Sequence, residues 1–160
     1  MFCGESGHTL DKKHRVFVPK RFHGALDRDE AGQFTVVLTR GFDGCLFLFS
    51  DKGFREAAAA LQTQAFAQEK ARTMQRLFFA NAHRCQLDAS GRLVLPEKLR
   101  KLAGIGSEVV MVGVLERAEI WDKTKWEAFE AANGESFDDL ADVLAPQGGA
   151  GADTAGGGGG

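Results

Sequence analysis

The sequence predicts an α+β, β-rich chain made of two tandem copies of one short unit, joined by a helical spacer and followed by a helical C-terminal segment. Three observations carry this. The stretch LDKKHRVFVPKRFH at residues 10–23 returns as LDASGRLVLPEKLR at residues 87–100. Leu10 and Asp11 match Leu87 and Asp88, Arg15 matches Arg92 and Pro19 matches Pro96, and a constant offset through all of these marks one repeated unit. Short β-branched and aromatic runs follow each copy, and between the copies apolar residues recur at helical spacing.

Phe2, His8 and Leu10 mark one face of an entering strand. In each copy an Asp opens a turn, because its carboxylate can bond the backbone ahead of it. Gly91 suits the positive φ of such a turn. The first copy has His14 in that place, one of the residues found there more often than most, at a cost of about 1 kcal/mol. The apolar triplets Val16-Phe17-Val18 and Leu93-Val94-Leu95 are short strands. Pro19 and Pro96 end them by removing a ladder donor and open a helical turn.

Residues 27–32 read as a polar turn, 34–38 as a strand, and 41–44 as the turn of a hairpin onto a strand at 45–49. That last strand is apolar on both faces, which predicts cover on both, from the partner repeat or a neighbouring subunit. Ser50 then caps a helix with a Phe54, Ala57, Ala58 and Leu61 stripe, and Ala67, Ala71, Met74 and Phe78 form a second stripe, so a helix or broken helix pair joins the repeats.

In the second copy, residues 81–87 form the entering strand, 97–103 a helix that Gly104 stops, and 109–112 and 118–121 a hairpin. Asp122 caps a last helix carrying Trp126 and Phe129. Phe49 and Phe54 match Trp121 and Trp126 in order and spacing, which extends the repeat beyond the loop motif. The resulting organisation is residues 1–54 and 81–130 as the repeats, 55–80 as the spacer, 131–145 as an acidic helical extension and 146–160 as a disordered Gly-rich tail.

The two D-x-x-[GH]-R segments, each followed by three apolar residues and Pro, with HTL before the first and EIWDKTKWEAF late in the second half, resemble the bacterial MraZ family over roughly residues 1–145. The resemblance implies two AbrB-like swapped-hairpin half-domains packed as a pseudo-two-fold unit. It also implies a transcriptional regulator of the division and cell-wall gene cluster that assembles as a homo-oligomeric ring and holds repeated DNA operator boxes with its Asp-to-Arg loops. On that reading Arg15 and Arg92 contact DNA, Lys12, Lys13, Lys20 and Arg21 neutralise phosphates, and His14 and Arg100 add to the same surface, with Lys101 a further basic neighbour. Asp11, Asp88, Gly91, Pro19 and Pro96 shape the loops. From the residues alone, each Arg equally well bonds only its own loop Asp.

Bulk properties bound the alternatives. At 160 residues and a net charge of −2 there is no global sign of nucleic-acid binding, so the placement of charge decides. Residues 8–23 carry five Lys and Arg against one Asp, and residues 116–142 carry nine acids against three bases. No apolar run spans a bilayer and the first residues lack the pattern of a signal peptide, which predicts a cytoplasmic protein without a membrane partner; the family resemblance implies that it is nucleoid-associated. The three Cys have no metal-type spacing: Cys45 reads as core, Cys3 and Cys85 as reduced small hydrophobes. No metal, cofactor, small-molecule substrate or enzymatic nucleophile is expected, since no ligand set, phosphate loop or nucleophile elbow is present. The rival reading is a cytosolic oligomeric scaffold that works through its acidic helices and doubly apolar strand.

Overall fold

The computed structural model describes residues 1–62 and 67–145. The Gly-rich stretch 146–160 and four residues of the spacer, 63–66, lie outside the described residues. The first copy runs β1 (Phe2–Thr9), β2 (Arg15–Phe17), α1 (Lys20–His23), β3 (Asp27–Arg28), β4 (Phe34–Arg40) and β5 (Leu46–Phe49). Helices α2 (Asp51–Gln62) and α3 (Glu69–Ala80) follow. The second copy runs β6 (His83–Gln86), β7 (Arg92–Val94), α4 (Glu97–Ala103), β8 (Glu108–Leu115), β9 (Arg117–Asp122) and α5 (Lys123–Asn133). A short helix α6 (Phe137–Leu140), flanked by single 3-10 turns, comes after. Met1–Glu127 form one compact unit, and the residues from Ala128 a second.

The main sheet has the order β1-β8-β9-β5-β4-β3, with β6 also paired to β4. Each copy sends its first strand into the other: β1 pairs antiparallel with β8, and β6 with β4. This exchange is the swapped hairpin. Thr35 pairs both Asp27 and Gln86, and Leu38 pairs both Leu48 and His83, so β3 and β5 share one edge of β4 while β6 takes the other. A second, two-stranded sheet is β2 against β7. In it Val16 faces Leu93, and in the main sheet Phe47 faces Glu119. Both are pairs of repeat-equivalent residues, so the pseudo-two-fold axis passes through both sheets.

The core respects the same symmetry. Val16 and Leu93, Val18 and Leu95, Phe22 and Leu99, Leu38 and Met111, and Leu48 and Ile120 are equivalent pairs, and all ten are buried in one cluster. Each large side chain so buried contributes about 1.5–3 kcal/mol before ordering entropy is counted. One close approach fixes the β1–β8 register: a side chain at Gly113 would run into the backbone of Phe2 and Cys3.

Several expectations are corrected. The second face of β5 is covered by the chain's own spacer together with the partner repeat, whose Trp121, Val112 and Trp126 join the same cluster. Cys45, Phe47 and Phe49 pack there with Phe78, Phe54, Ala57, Leu61 and Met74, and Phe54 stacks on Phe78 with centroids 5.8 Å apart. The Thr39 hydroxyl donates to the Phe78 carbonyl at 2.7 Å, tying the end of α3 to β4. Asp27 and Arg28 are a strand, not part of a turn, because they find partners in Thr35 and Phe34. Asp29 makes the turn instead, its Oδ1 accepting from the Ala31 and Gln33 N–H groups. Ala67 precedes α3 and is exposed, so it lies off the helical stripe. Cys3 is also exposed, while Cys45 is buried and its thiol is pushed up to about 12 by that burial. The Ser50 cap, which accepts from Gly53 N–H at 3.0 Å, and the left-handed Gly104 stop are as expected. No helix among the described residues is long and apolar enough to cross a membrane.

Candidate nucleic-acid interface

The two Asp-to-Arg loops are built alike, bond for bond. In the first, Asp11 Oδ1 accepts from the Lys13 and Arg15 backbone N–H groups, both at 2.9 Å, and Oδ2 accepts from Arg15 Nε at 2.7 Å. In the second, Asp88 Oδ1 accepts from Ser90 at 3.0 Å and Arg92 at 2.9 Å, and Oδ2 from Arg92 Nε at 2.8 Å. The backbone closes each loop in the same way, His14 N–H to Asp11 O and Gly91 N–H to Asp88 O, both at 2.9 Å. The turn needs a left-handed residue, and both copies supply one: φ is 59° at His14 and 82° at Gly91.

The loops are also locked to each other. Leu95 N–H donates to His14 O and Val18 N–H to Gly91 O, each at 3.0 Å. Thus the carbonyl of each left-handed residue serves the opposite strand. Arg15 pairs across the ribbon with Val94, and Phe17 with Arg92. With Val16 and Leu93 in the core, strand alternation turns Arg15, Phe17, Arg92 and Val94 outward. Each guanidinium also lies 4.0 Å from the other loop's Asp, Arg15 to Asp88 and Arg92 to Asp11. The result is a quartet of two Arg and two Asp on the pseudo-two-fold axis.

Both Asp carboxyls are held below their usual range, first by the backbone N–H of their own loop Arg and then by its side chain. They stay ionised and hold Nε, leaving the Arg fork half-exposed at 26% and 28%. An Arg braced at Nε presents its terminal amino groups as a planar pair of donors, the geometry that matches guanine O6 and N7 or a phosphate. A two-stranded ribbon is also a shape that the DNA major groove admits.

The quartet is neutral in itself, so the positive charge comes from its surroundings, and these differ between the copies. Lys12, Lys13, Lys20 and Arg21 are all exposed around the first loop, as is His14. Their equivalents are Ala89, Ser90, Glu97 and Lys98. Arg21 also reaches back, Nε donating to Cys3 O at 3.3 Å. Arg100 is half-buried and donates from Nε to Leu95 O at 3.1 Å, as its equivalent His23 does from Nε2 to Val18 O at 3.0 Å. Both brace a strand end from the first turn of a helix. Lys101 pairs with Glu97 on the surface. Pro19 and Pro96 stand just before α1 and α4, with φ near that of a helix at −52° and −56°.

Sequence reading grouped Phe17 and Val94 with their buried neighbours as strand residues and so missed that they face outward. Period-two alternation about Val16 and Leu93 is the signal that finds them.

Comparison with known proteins agrees with this architecture. A family described as "MraZ protein, putative antitoxin-like" matches twice, over residues 1–77 and 78–145. The chain is 39% identical over 144 residues to the transcriptional regulator MraZ of Moorella thermoacetica, covering 90% of this chain and 96% of that protein. It is 38% identical to the protein of the same name from Finegoldia magna and 39% to that of Pediococcus pentosaceus, at the same coverage of both chains.

Proposed function

The chain belongs to the MraZ family, and from that premise we propose that it is a sequence-specific DNA-binding regulator that represses its own division and cell-wall gene cluster by gripping repeated operator boxes with its paired Asp-to-Arg loops. Its relatives are named transcriptional regulators, a role of binding and not of catalysis. The observation that carries the loop assignment is the quartet: two equivalent Arg, each braced by its own Asp, brought onto one outward ribbon face.

Arg15 and Arg92 read base edges, while Lys12, Lys13, Lys20 and Arg21 neutralise phosphates and set the register without reading sequence. His14 lies among them on the first loop. Arg100 supports the second loop by bracing Leu95 and adds positive charge behind it. Residues 1–54 and 81–130 act as the two half-domains of one DNA-binding unit. One ribbon per chain is a small footprint, so a homo-oligomeric ring that sets several ribbons against spaced boxes gains its affinity through avidity. Such a regulator works in the cytoplasm, at the nucleoid, without a cofactor.

The test is binding of the purified protein to its own upstream DNA against scrambled DNA of equal length, at two salt concentrations. Selective binding that weakens steeply with salt is expected, because each neutralised phosphate releases counterions. Charge reversal in the acidic region at residues 127–142 should spare it. If that reversal abolishes function while an Arg15→Ala/Arg92→Ala variant keeps it, the protein is instead an interaction scaffold.

A further inference from the structure

Phe17 and Val94 stand out on the ribbon. They are 51% and 53% exposed, yet their strand neighbours Val16 and Leu93 are fully buried. They are equivalent under the repeat, and each lies across the ribbon from the other copy's Arg, Phe17 opposite Arg92 and Val94 opposite Arg15. The Arg92 guanidinium lies 5.9 Å from the centre of the Phe17 ring. Leaving half of a phenylalanine in water forgoes part of the folding free energy that its burial would supply. Nothing in the loop architecture requires an aromatic here, since Val94 stands in an identical frame.

We propose that Phe17, and more weakly Val94, are specificity-determining residues that pack on the C5-methyl groups of thymines beside the bases contacted by Arg92 and Arg15. This rests on the DNA-binding reading above. The major-groove edge of a base pair offers donors and acceptors throughout and one apolar group, the thymine methyl. An apolar side chain held beside an Arg fork on a groove-sized ribbon meets that group and little else. A protein-docking patch would need a contiguous apolar area of several hundred Å², on the order of the largest patch on a typical monomer. Phe17 and Val94 are instead each set opposite a charged guanidinium, that of Arg92 and that of Arg15. The difference in size between the two side chains also makes the readout unequal, with the stronger demand for thymine on the Phe17 side.

The experiment compares the protein's upstream DNA fragment amplified with dTTP and the same fragment amplified with dUTP, which removes every C5-methyl and keeps base pairing. Wild type should bind the deoxyuridine fragment more weakly, by about fourfold for each methyl contacted. Phe17→Ala should bind both fragments nearly alike, close to wild type on deoxyuridine DNA. Phe17→Leu should keep part of the penalty, and Val94→Ala most of it. Equal wild-type binding to the two fragments overturns the proposal. So does a Phe17→Ala variant that retains the full deoxyuridine penalty, since the methyl would then act through DNA shape. Loss of assembly in Phe17→Ala, read by sedimentation, also overturns it by making Phe17 an interface residue. Failure to prefer upstream over scrambled DNA in either form takes down the DNA-binding reading itself, a result distinct from selective binding that ignores the methyl.

Discussion

The Asp11-to-Arg15 and Asp88-to-Arg92 loops share only their Asp and Arg, yet their corresponding hydrogen bonds agree to within about 0.1 Å. The geometry is therefore carried by one carboxylate bonding two backbone N–H groups and one Nε. Everything else in the loop is available for chemistry facing outward. The first copy uses that freedom for charge, with Lys12 and Lys13 where the second has Ala89 and Ser90. It also bears a left-handed His14 where the second has Gly91. The frames are equal and their surfaces are not: the first loop is the electropositive one, and the second is the less strained.

The largest expected effect tests what the loops share. Arg15→Ala or Arg92→Ala should each lower selective binding to the upstream DNA by about tenfold to a hundredfold, the worth of one bidentate base contact, as read by titration. Next comes the brace. Asp11→Ala or Asp88→Ala removes the acceptor of two backbone N–H groups and releases Nε, and should lower the melting temperature and weaken DNA binding with it. The sharpest contrast between the copies follows. Gly91→Ala should cost about 1–2 kcal/mol, because φ is 82° there and the added Cβ would lie 3.2 Å from His23 Cε1. His14→Gly relieves a left-handed side chain at no loss of loop hydrogen bonds, and should leave stability and DNA affinity equal or up to about 1 kcal/mol better. A large loss of affinity would assign His14 a DNA contact of its own.

The smallest effect is that of pH. Asp11 and Asp88 have folded pKa values below the ordinary 3.8, chiefly through the backbone N–H of their loop Arg. Their stabilisation is therefore complete above the unfolded value and is lost as pH falls through the lowered folded values. Loop stability should be flat across neutral pH and decline only below about pH 4. Denaturant titrations at several pH values check this, and a decline near pH 6 would point to a His.

Much of this was legible in the sequence because the repeat states it twice. The constant offset from Asp to Arg to Pro located both loops, and the caps at Ser50 and Gly104 bounded their helices. Which strand pairs with which was not legible from composition. The exchange of β1 and β6 between copies is a long-range choice, and it entered the sequence reading through family resemblance. The cover over β5 was read only in part, as the partner repeat, because a doubly apolar strand says only that something buries it. The amphipathic stripe of Phe54, Leu61 and Met74 lies nearer in sequence and supplies the rest of it, beside Trp121 of the partner repeat. Arg100 was read as part of the DNA-facing surface, and its bond to the Leu95 carbonyl at 3.1 Å was not foreseen, since a guanidinium bracing a strand end has no sequence signature.

The claim at the centre is that the two loops form one DNA-reading unit through the quartet on the axis. A double-mutant cycle in DNA binding tests it most directly, with wild type, Arg15→Ala, Arg92→Ala and the double variant titrated against the upstream fragment at one salt concentration. Side chains this close, each within 4.0 Å of the other's Asp, should be coupled by more than about 0.5 kcal/mol, so that the double variant departs from the sum of the singles. Strictly additive losses would mean two independent contacts that share a ribbon, and would contradict the account.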